Sequence, residues 1–307
     1  MKTCILFPGQ GAQSIGMGKD LYDADADVRS LFEEASDVAK TNLFDLIFSG
    51  TEETLKQTRN AQLALALIDS SAALSLSKRG VVAQGCAGFS LGEWAALSYA
   101  GVLPFAVMIH LVSERGRLMD EAGVRSGGSA MSAVLGLDPE AIDKALKEAG
   151  IGDAWIANYN APMQSVLSGT ESGIVKAEEA VKAAGAKRVV RLKVSGAFHS
   201  PIMSYAYDGF KEILSDVTFK DPTITFYSNV TGTSVASGAE LHRLAAEQII
   251  SPVRWVDAEK TIQKDDYERI LEAGPGMVLA GLWKSAGSEL VVSAAGSHEQ
   301  IAAIARL

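Results

Sequence analysis

The sequence predicts an α/β protein with a mainly parallel sheet, and three observations carry that expectation. Short apolar runs such as TCILF and VVAQGCAG read as buried strands. The segment after Ser90, LGEWAALSYAG, has helical spacing, and strands return near the end of the chain as TITFYSNV, RILEAG and LVVSAA with helices between them. Strands alternating with helices imply a sheet covered on both faces.

Taken in order, TCILF closes at Pro8-Gly9, so the first strand runs into a tight loop. VVAQGCAG is the second strand, and Gly101 is the expected stop of the helix that follows; Ser90 therefore sits between a strand and a helix. Leu103 to Ala122 continues as a longer helix whose second half turns polar. From about Ser129 the rhythm changes. SAMSAVLGL is a strand, Asp138-Pro139 caps the helix EAIDKALKEA, and that helix stops at Gly150. WIANYN and QSVLSG are strands, a helix with apolar Ile174, Ala177, Val181 and Ala184 follows, and KRVVRLKV is a strand after Gly185. Strand, helix, strand, strand, helix, strand is the order of a ferredoxin-like unit. We therefore expect a small subdomain at residues 128–194, inserted into a discontinuous α/β domain of residues 1–127 and 195–307.

At 307 residues the chain exceeds one ordinary compact domain, which agrees with that division. Its 48% hydrophobic and 21% charged residues exclude a disordered or fibrous chain. A net charge of -9 argues against a nucleic-acid binder, and any acidic partner must dock on a local basic patch. Cys4 and Cys86 each lie in an apolar strand-like run, which fits buried free thiols in a reducing compartment and a cytoplasmic protein. The start, MKTCILFPGQG, is too short in apolar residues for a signal peptide, and no run approaches the ~18 apolar residues of a membrane span.

The stretch GFSLG has the form Gly-x-Ser-x-Gly around Ser90. In such an elbow the glycines let a strand turn sharply into a helix, so the serine hydroxyl projects and the next backbone N–H points at a developing oxyanion. A serine nucleophile needs a base, and the chain has four histidines. His110 lies in the apolar run VMIHLV and reads as a core or helix-face residue, whereas His242 and His298 have polar, helix-like surroundings and read as solvated. His199, in the Gly-bearing loop VSGAFHSPIM, is the best candidate.

The N-terminal FPGQGAQSIGMG has Ser14 where a dinucleotide fingerprint needs its third glycine, and Asp20 where a phosphate loop needs Ser or Thr. Phosphate binding is disfavoured, and the glycine-flanked Gln10 is instead a candidate side-chain donor at a strand end. No metal-ligand constellation is apparent. Arg115 and Arg117 share the polar half of one helix, and spacing does not choose between them.

Together these motifs resemble the malonyl-CoA:acyl carrier protein transacylases, the acyltransferase family of fatty-acid and polyketide synthesis. The resemblance runs through FPGQGAQ, QTRNAQLAL, GFSLGEWAAL, ERGRLM, NYNAPMQSVLSG, AFHSPIM, EQIISPVRW and EAGPGMVLAGL, nearly the whole chain. It implies a hydrolase-like α/β domain carrying an inserted ferredoxin-like subdomain. It also implies that Ser90 is the nucleophile, His199 its base, and the backbone N–H groups of Gln10 and Leu91 the oxyanion hole. The Gln248 position is the one whose backbone carbonyl holds the imidazole, replacing the acid of a triad. Arg115 matches the arginine that grips the malonyl carboxylate, a task suited to a fixed fork of donors.

No permanently bound cofactor is implied; malonyl-CoA is a substrate and an acyl carrier protein the acceptor, with the enzyme expected as a monomer. Ala197-Phe198-His199 resembles the form of malonyl-selective relatives. Phe89 stands where the family usually has His, a departure that bears on acyl orientation and selectivity, and Leu63 stands where relatives often carry Pro. Carrier proteins of this pathway are acidic, so Lys187, Arg188, Arg191 and Lys193 are candidates for the receiving surface. The competing readings are an acyl hydrolase or thioesterase acting on carrier-bound groups, and a non-catalytic docking module.

Overall fold

The structure is a computed structural model that describes residues 1–305. Strand β1 (Thr3–Phe7) is followed by helices α1 (Lys19–Ala24), α2 (Ala26–Ala39), α3 (Leu43–Phe48), α4 (Glu52–Lys56) and α5 (Thr58–Lys78). Strand β2 (Gly85–Gly88) leads into α6 (Gly92–Tyr99) and α7 (Phe105–Arg125). The middle of the chain runs through β3 (Ser129–Leu135), α8 (Pro139–Glu148), β4 (Ala154–Ala161), β5 (Gln164–Thr170), α9 (Glu171–Ala183) and β6 (Arg188–Arg191). After a 3-10 turn at Pro201–Met203 come α10 (Ser204–Leu214), β7 (Thr225–Tyr227), β8 (Ser234–Val235), α11 (Gly238–Glu247) and α12 (Trp255–Lys264). The chain then forms β9 (Arg269–Glu272), α13 (Val278–Ser285), β10 (Val292–Ala294) and α14 (His298–Ile304).

The larger sheet has the order β10-β9-β1-β2-β7-β8, and only β8 pairs antiparallel. Successive side chains alternate between two buried faces. Ile5, Phe7, Cys86, Phe226 and Leu271 join the core built with α2, α5, α6 and α7. Cys4, Leu6, Ala87, Tyr227 and Ile270 pack instead against Trp255 and Ile262 of α12 and Trp283 of α13. Burial on both sides is why these strands read as unbroken apolar runs. Cys4 and Cys86 are buried, unbridged, and point to opposite faces.

The smaller sheet, order β4-β5-β3-β6, is antiparallel throughout, the ferredoxin-like arrangement. Helices α8 and α9 cover one face, where Ile142, Leu146, Ile174 and Val181 meet Val134, Ile156 and Leu167. The other face sends Met131, Ala157 and Val166 into the main core. Backbone bonds of 2.9 Å from Tyr159 N–H to the Val253 carbonyl, and from Val253 N–H to the Ala157 carbonyl, fasten this sheet to the segment before α12.

Some expectations change. The second strand begins at Gly85 rather than Val81, and Val82 is exposed. KRVVRLKV narrows to Arg188–Arg191, the stretch that pairs with Ser132–Leu135 of β3. Ala184 caps α9 from outside and is exposed. Residues 19–78, to which no element was assigned above, hold five helices. Of these, α5 is buried nearly all round because it runs through the core, and its polar Gln62, Asp69, Ser71 and Ser75 are buried with the rest, so it lacks the segregated solvent face that marks an amphipathic helix.

Candidate active site

The site lies outside the carboxyl ends of β1 and β2, where parallel sheets place their ligands. Strand β2 ends at Gly88, α6 begins at Gly92, and Ser90 between them takes φ 50°, the left-handed region that costs a non-glycine residue roughly 1–2 kcal/mol. Both flanking glycines are demanded by contact. A Cβ on Gly88 would lie 2.0 Å from the Gly92 carbonyl carbon, and one on Gly92 would lie 2.1 Å from the Phe7 oxygen. The motif therefore packs the elbow against itself and against β1.

His199 also has positive φ, 57°, in the loop before the 3-10 turn, and is 4% exposed. Its Nδ1 lies 2.8 Å from the Gln248 carbonyl and 3.1 Å from that of Ser251. Two carbonyls can only accept, so Nδ1 carries the hydrogen and Nε2 keeps its lone pair. Nε2 faces the Ser90 hydroxyl at 2.8 Å. Burial, and then the charge of Arg115, lower the His199 pKa to about 4, partly offset by the two carbonyls. The ring is therefore neutral at pH 7 and able to accept a proton.

Arg115 projects from α7 and is 1% exposed. Its Nη1 donates to Gln62 Oε1 at 2.7 Å, and its Nη2 donates to Gln248 Oε1 at 3.0 Å and reaches the Ser90 hydroxyl at 3.4 Å. Among the described residues Nε is unpartnered, and no carboxylate is hydrogen-bonded to the guanidinium. Burial lowers its pKa to about 10, and Glu93 nearby opposes that shift. A buried cation without an ionic partner favours a ligand that supplies the missing carboxylate. Arg117 instead turns outward to Glu114 and Glu121.

Gln10 and Leu91 line the same cavity, and among the described residues neither backbone N–H has an acceptor. The cavity, about 220 Å³, lies between the two sheets. Asn158, Asn160 and Gln164 close it from the small sheet, while Phe89 lines it and packs edge-on to Trp255 at 5.4 Å. Of the other histidines, His110 and His298 are exposed. His242, expected to be solvated, is half-buried, donating to the Leu214 carbonyl at 2.8 Å with its ring edge-on to Phe219.

Polar residues not foreseen at the site include Gln62, Asn158, Asn160 and Gln164 in the cavity wall, and Glu93 and Asn229 beneath Ser90. Gln248 has a second role, because its side chain donates to the Ser90 carbonyl at 3.0 Å and to Glu93, while its Oε1 accepts from Arg115. Glu93 is 6% exposed, and burial pushes its carboxyl up to about 7 against the pull of its hydrogen bonds. The signal for Glu93 was a lone carboxylate in an apolar helix start, GEWAAL; for Asn229, a polar residue at the carboxyl end of a parallel strand.

A serine hydroxyl on a neutral imidazole, beside unoccupied backbone donors at the edge of an α/β sheet, is the arrangement of enzymes that pass acyl groups through a serine. The acyl transferase domain profile matches residues 4–303. The malonyl CoA-acyl carrier protein transacylase of Bacillus subtilis is 39% identical over 98% of this chain and 95% of its own. That of Escherichia coli K12 is 36% identical over 99% and 98%. An acyl carrier protein S-malonyltransferase from Vibrio cholerae superposes with a TM-score of 0.95 at 36% identity, covering 99% of this chain and 100% of the other. A malonyl-transacylase solved in complex with its type II PKS acyl-carrier protein gives 0.95 at 36% identity, covering 100% and 99%. The chain belongs to the malonyl-CoA:acyl carrier protein transacylase family of acyl transferases.

Proposed function

We propose that this enzyme takes the malonyl group of malonyl-CoA onto Ser90 and passes it to the phosphopantetheine thiol of an acyl carrier protein, for fatty-acid or polyketide synthesis. The observation that carries the reading is the buried Arg115 guanidinium, without an ionic partner among the described residues, 3.4 Å from the Ser90 hydroxyl. A malonyl thioester offers a carbonyl to the serine and, one methylene further, a carboxylate to the arginine fork. The names of its relatives support the same donor and acceptor.

In the first half-reaction His199 Nε2 takes the Ser90 proton as Oγ attacks the thioester carbonyl. The oxyanion forms opposite the Leu91 and Gln10 N–H groups, then collapses; the C–S bond breaks, and the coenzyme A thiolate leaves with the proton from Nε2. In the second, the pantetheine thiol gives its proton to Nε2, attacks the malonyl ester, and Ser90 recovers its hydroxyl. The Gln248 and Ser251 carbonyls hold Nδ1–H throughout, so no acid is needed behind the imidazole. The chain's own side chains and amides supply every group in this scheme. With it goes a cytosolic monomer divided at residues 128 and 194; no described helix is long and apolar enough to cross a membrane.

Initial rates with malonyl-CoA and carrier protein varied together test the scheme. Parallel double-reciprocal lines, with thiol outcompeting water for the acyl-enzyme, are expected. Intersecting lines contradict it, and free malonate released as fast as transfer indicates an acyl hydrolase.

A further inference from the structure

The Ser90 hydroxyl is committed to His199, so it cannot hold the strained elbow in place. Asn229, just beyond β7, does so from outside. Its Oδ1 accepts the Ser90 N–H at 2.6 Å, and its Nδ2 donates to the Gly88 carbonyl at 2.6 Å. Those groups flank Phe89, so one amide bridges the last residue of β2 to Ser90 and satisfies a backbone acceptor on one side of the turn and a backbone donor on the other. Asn229 is itself 1% exposed, and its backbone N–H is held by Glu93 Oε1 at 2.8 Å. Glu93 Oε2 accepts from Gln248, which also donates to the Ser90 carbonyl. The elbow is thus gripped at the Gly88 carbonyl, the Ser90 N–H and the Ser90 carbonyl.

We propose that Asn229, held by Glu93, is a positioning residue for acyl transfer: its amide fixes the backbone that aims the Ser90 hydroxyl at His199 and the Leu91 N–H at the oxyanion. Asn229 is absent from the cavity wall and touches no reacting atom. It acts through Ser90, and the inference rests on the reading of Ser90 as nucleophile. Misplacing a reacting group by on the order of 1 Å costs about 100-fold in rate.

The test measures acylation by malonyl-CoA in native enzyme, Ser90→Ala, Asn229→Ala and Asn229→Asp. No adduct on the native enzyme, or one that persists in Ser90→Ala, defeats the underlying reading rather than the clamp. With a native Ser90 adduct established, Asn229→Ala is expected to acylate about 100-fold more slowly with the KM for malonyl-CoA within about threefold of native. In Asn229→Asp the new carboxylate would face the Gly88 carbonyl, whereas its protonated form can donate to it as the amide does. The ratio of the Asp variant's rate to the native rate should therefore rise as pH falls from about 8 to about 6, since Glu93, which faces residue 229 and titrates near 7, and His199 are present in both enzymes. A folded Asn229→Ala enzyme that acylates within about threefold of native, or a flat ratio for the Asp variant, overturns the proposal. If Asn229→Ala does not fold, the Asp ratio decides alone.

Discussion

Arg115 and His199 share one buried space, and their positive charges would repel. Burial, with that repulsion added to it, lowers the His199 pKa from 6.5 to about 4. The acid limb of kcat/KM, which reports free enzyme, should therefore fall near pH 4. A bound malonyl carboxylate cancels the Arg115 charge, so the limb of kcat is expected at higher pH than that of kcat/KM. A pH–rate profile checks both, and a native kcat/KM limb near 6.5 would contradict the first. The same shift bears on stability. The unfolded chain takes up the His199 proton more readily, so the folded state loses ground as pH drops from 6.5 through about 4. Arg115→Ala should lower kcat/KM for malonyl-CoA by about 100-fold, or roughly 3 kcal/mol, while leaving acetyl-CoA use level or improved. Equal losses for both donors would remove Arg115 from recognition of the carboxylate.

The elbow between β2 and α6 shows how a short motif encodes geometry. Gly88→Ala or Gly92→Ala pushes a Cβ into backbone atoms about 2 Å away, and a loss above about 2 kcal/mol is expected. Gly127→Ala is the control: it has φ 68° but nothing within 4 Å, so about 1 kcal/mol is expected. Thermal unfolding separates the cases, and equal shifts for all three would deny the close packing. Such an elbow is legible in sequence because strand, glycine spacing and helix lie together in a few residues. Alternating strands were legible for a related reason: burial on both faces leaves unbroken apolar runs. Helix α5 was not, since its polar and apolar residues are buried alike and mark no solvent face, and two-residue β8 is too short to mark itself. Asn229 and Glu93 also escaped, because a lone Asn or Glu reads as solvated until tertiary contacts bring it under Ser90. The Gln248 carbonyl came from resemblance alone, and that of Ser251 had no side-chain signal at all.

Across the whole molecule, the small sheet roofs a cavity whose floor is the carboxyl edge of the large one, so recognition residues come from both. The chain carries -9 overall, and an acidic carrier protein must meet a local excess of cations. Of the four basic residues at the end of the small sheet, Arg191 is tied to Glu171 and Glu178, which leaves Lys187, Arg188 and Lys193 exposed and without such ties among the described residues. Reversing Lys187 and Arg188 should raise the KM for carrier protein several-fold, more at low salt, while leaving that for malonyl-CoA unchanged. An unchanged carrier KM moves the docking surface elsewhere.

The most direct test of the central claim, that Ser90 takes the malonyl group while Arg115 holds its carboxylate, is intact mass after brief incubation with malonyl-CoA or acetyl-CoA. The account predicts one malonyl adduct on native enzyme, none on Ser90→Ala, and a malonyl preference over acetyl that collapses in Arg115→Ala. A folded native enzyme that takes no adduct from either donor, or an adduct that survives Ser90→Ala, would contradict it.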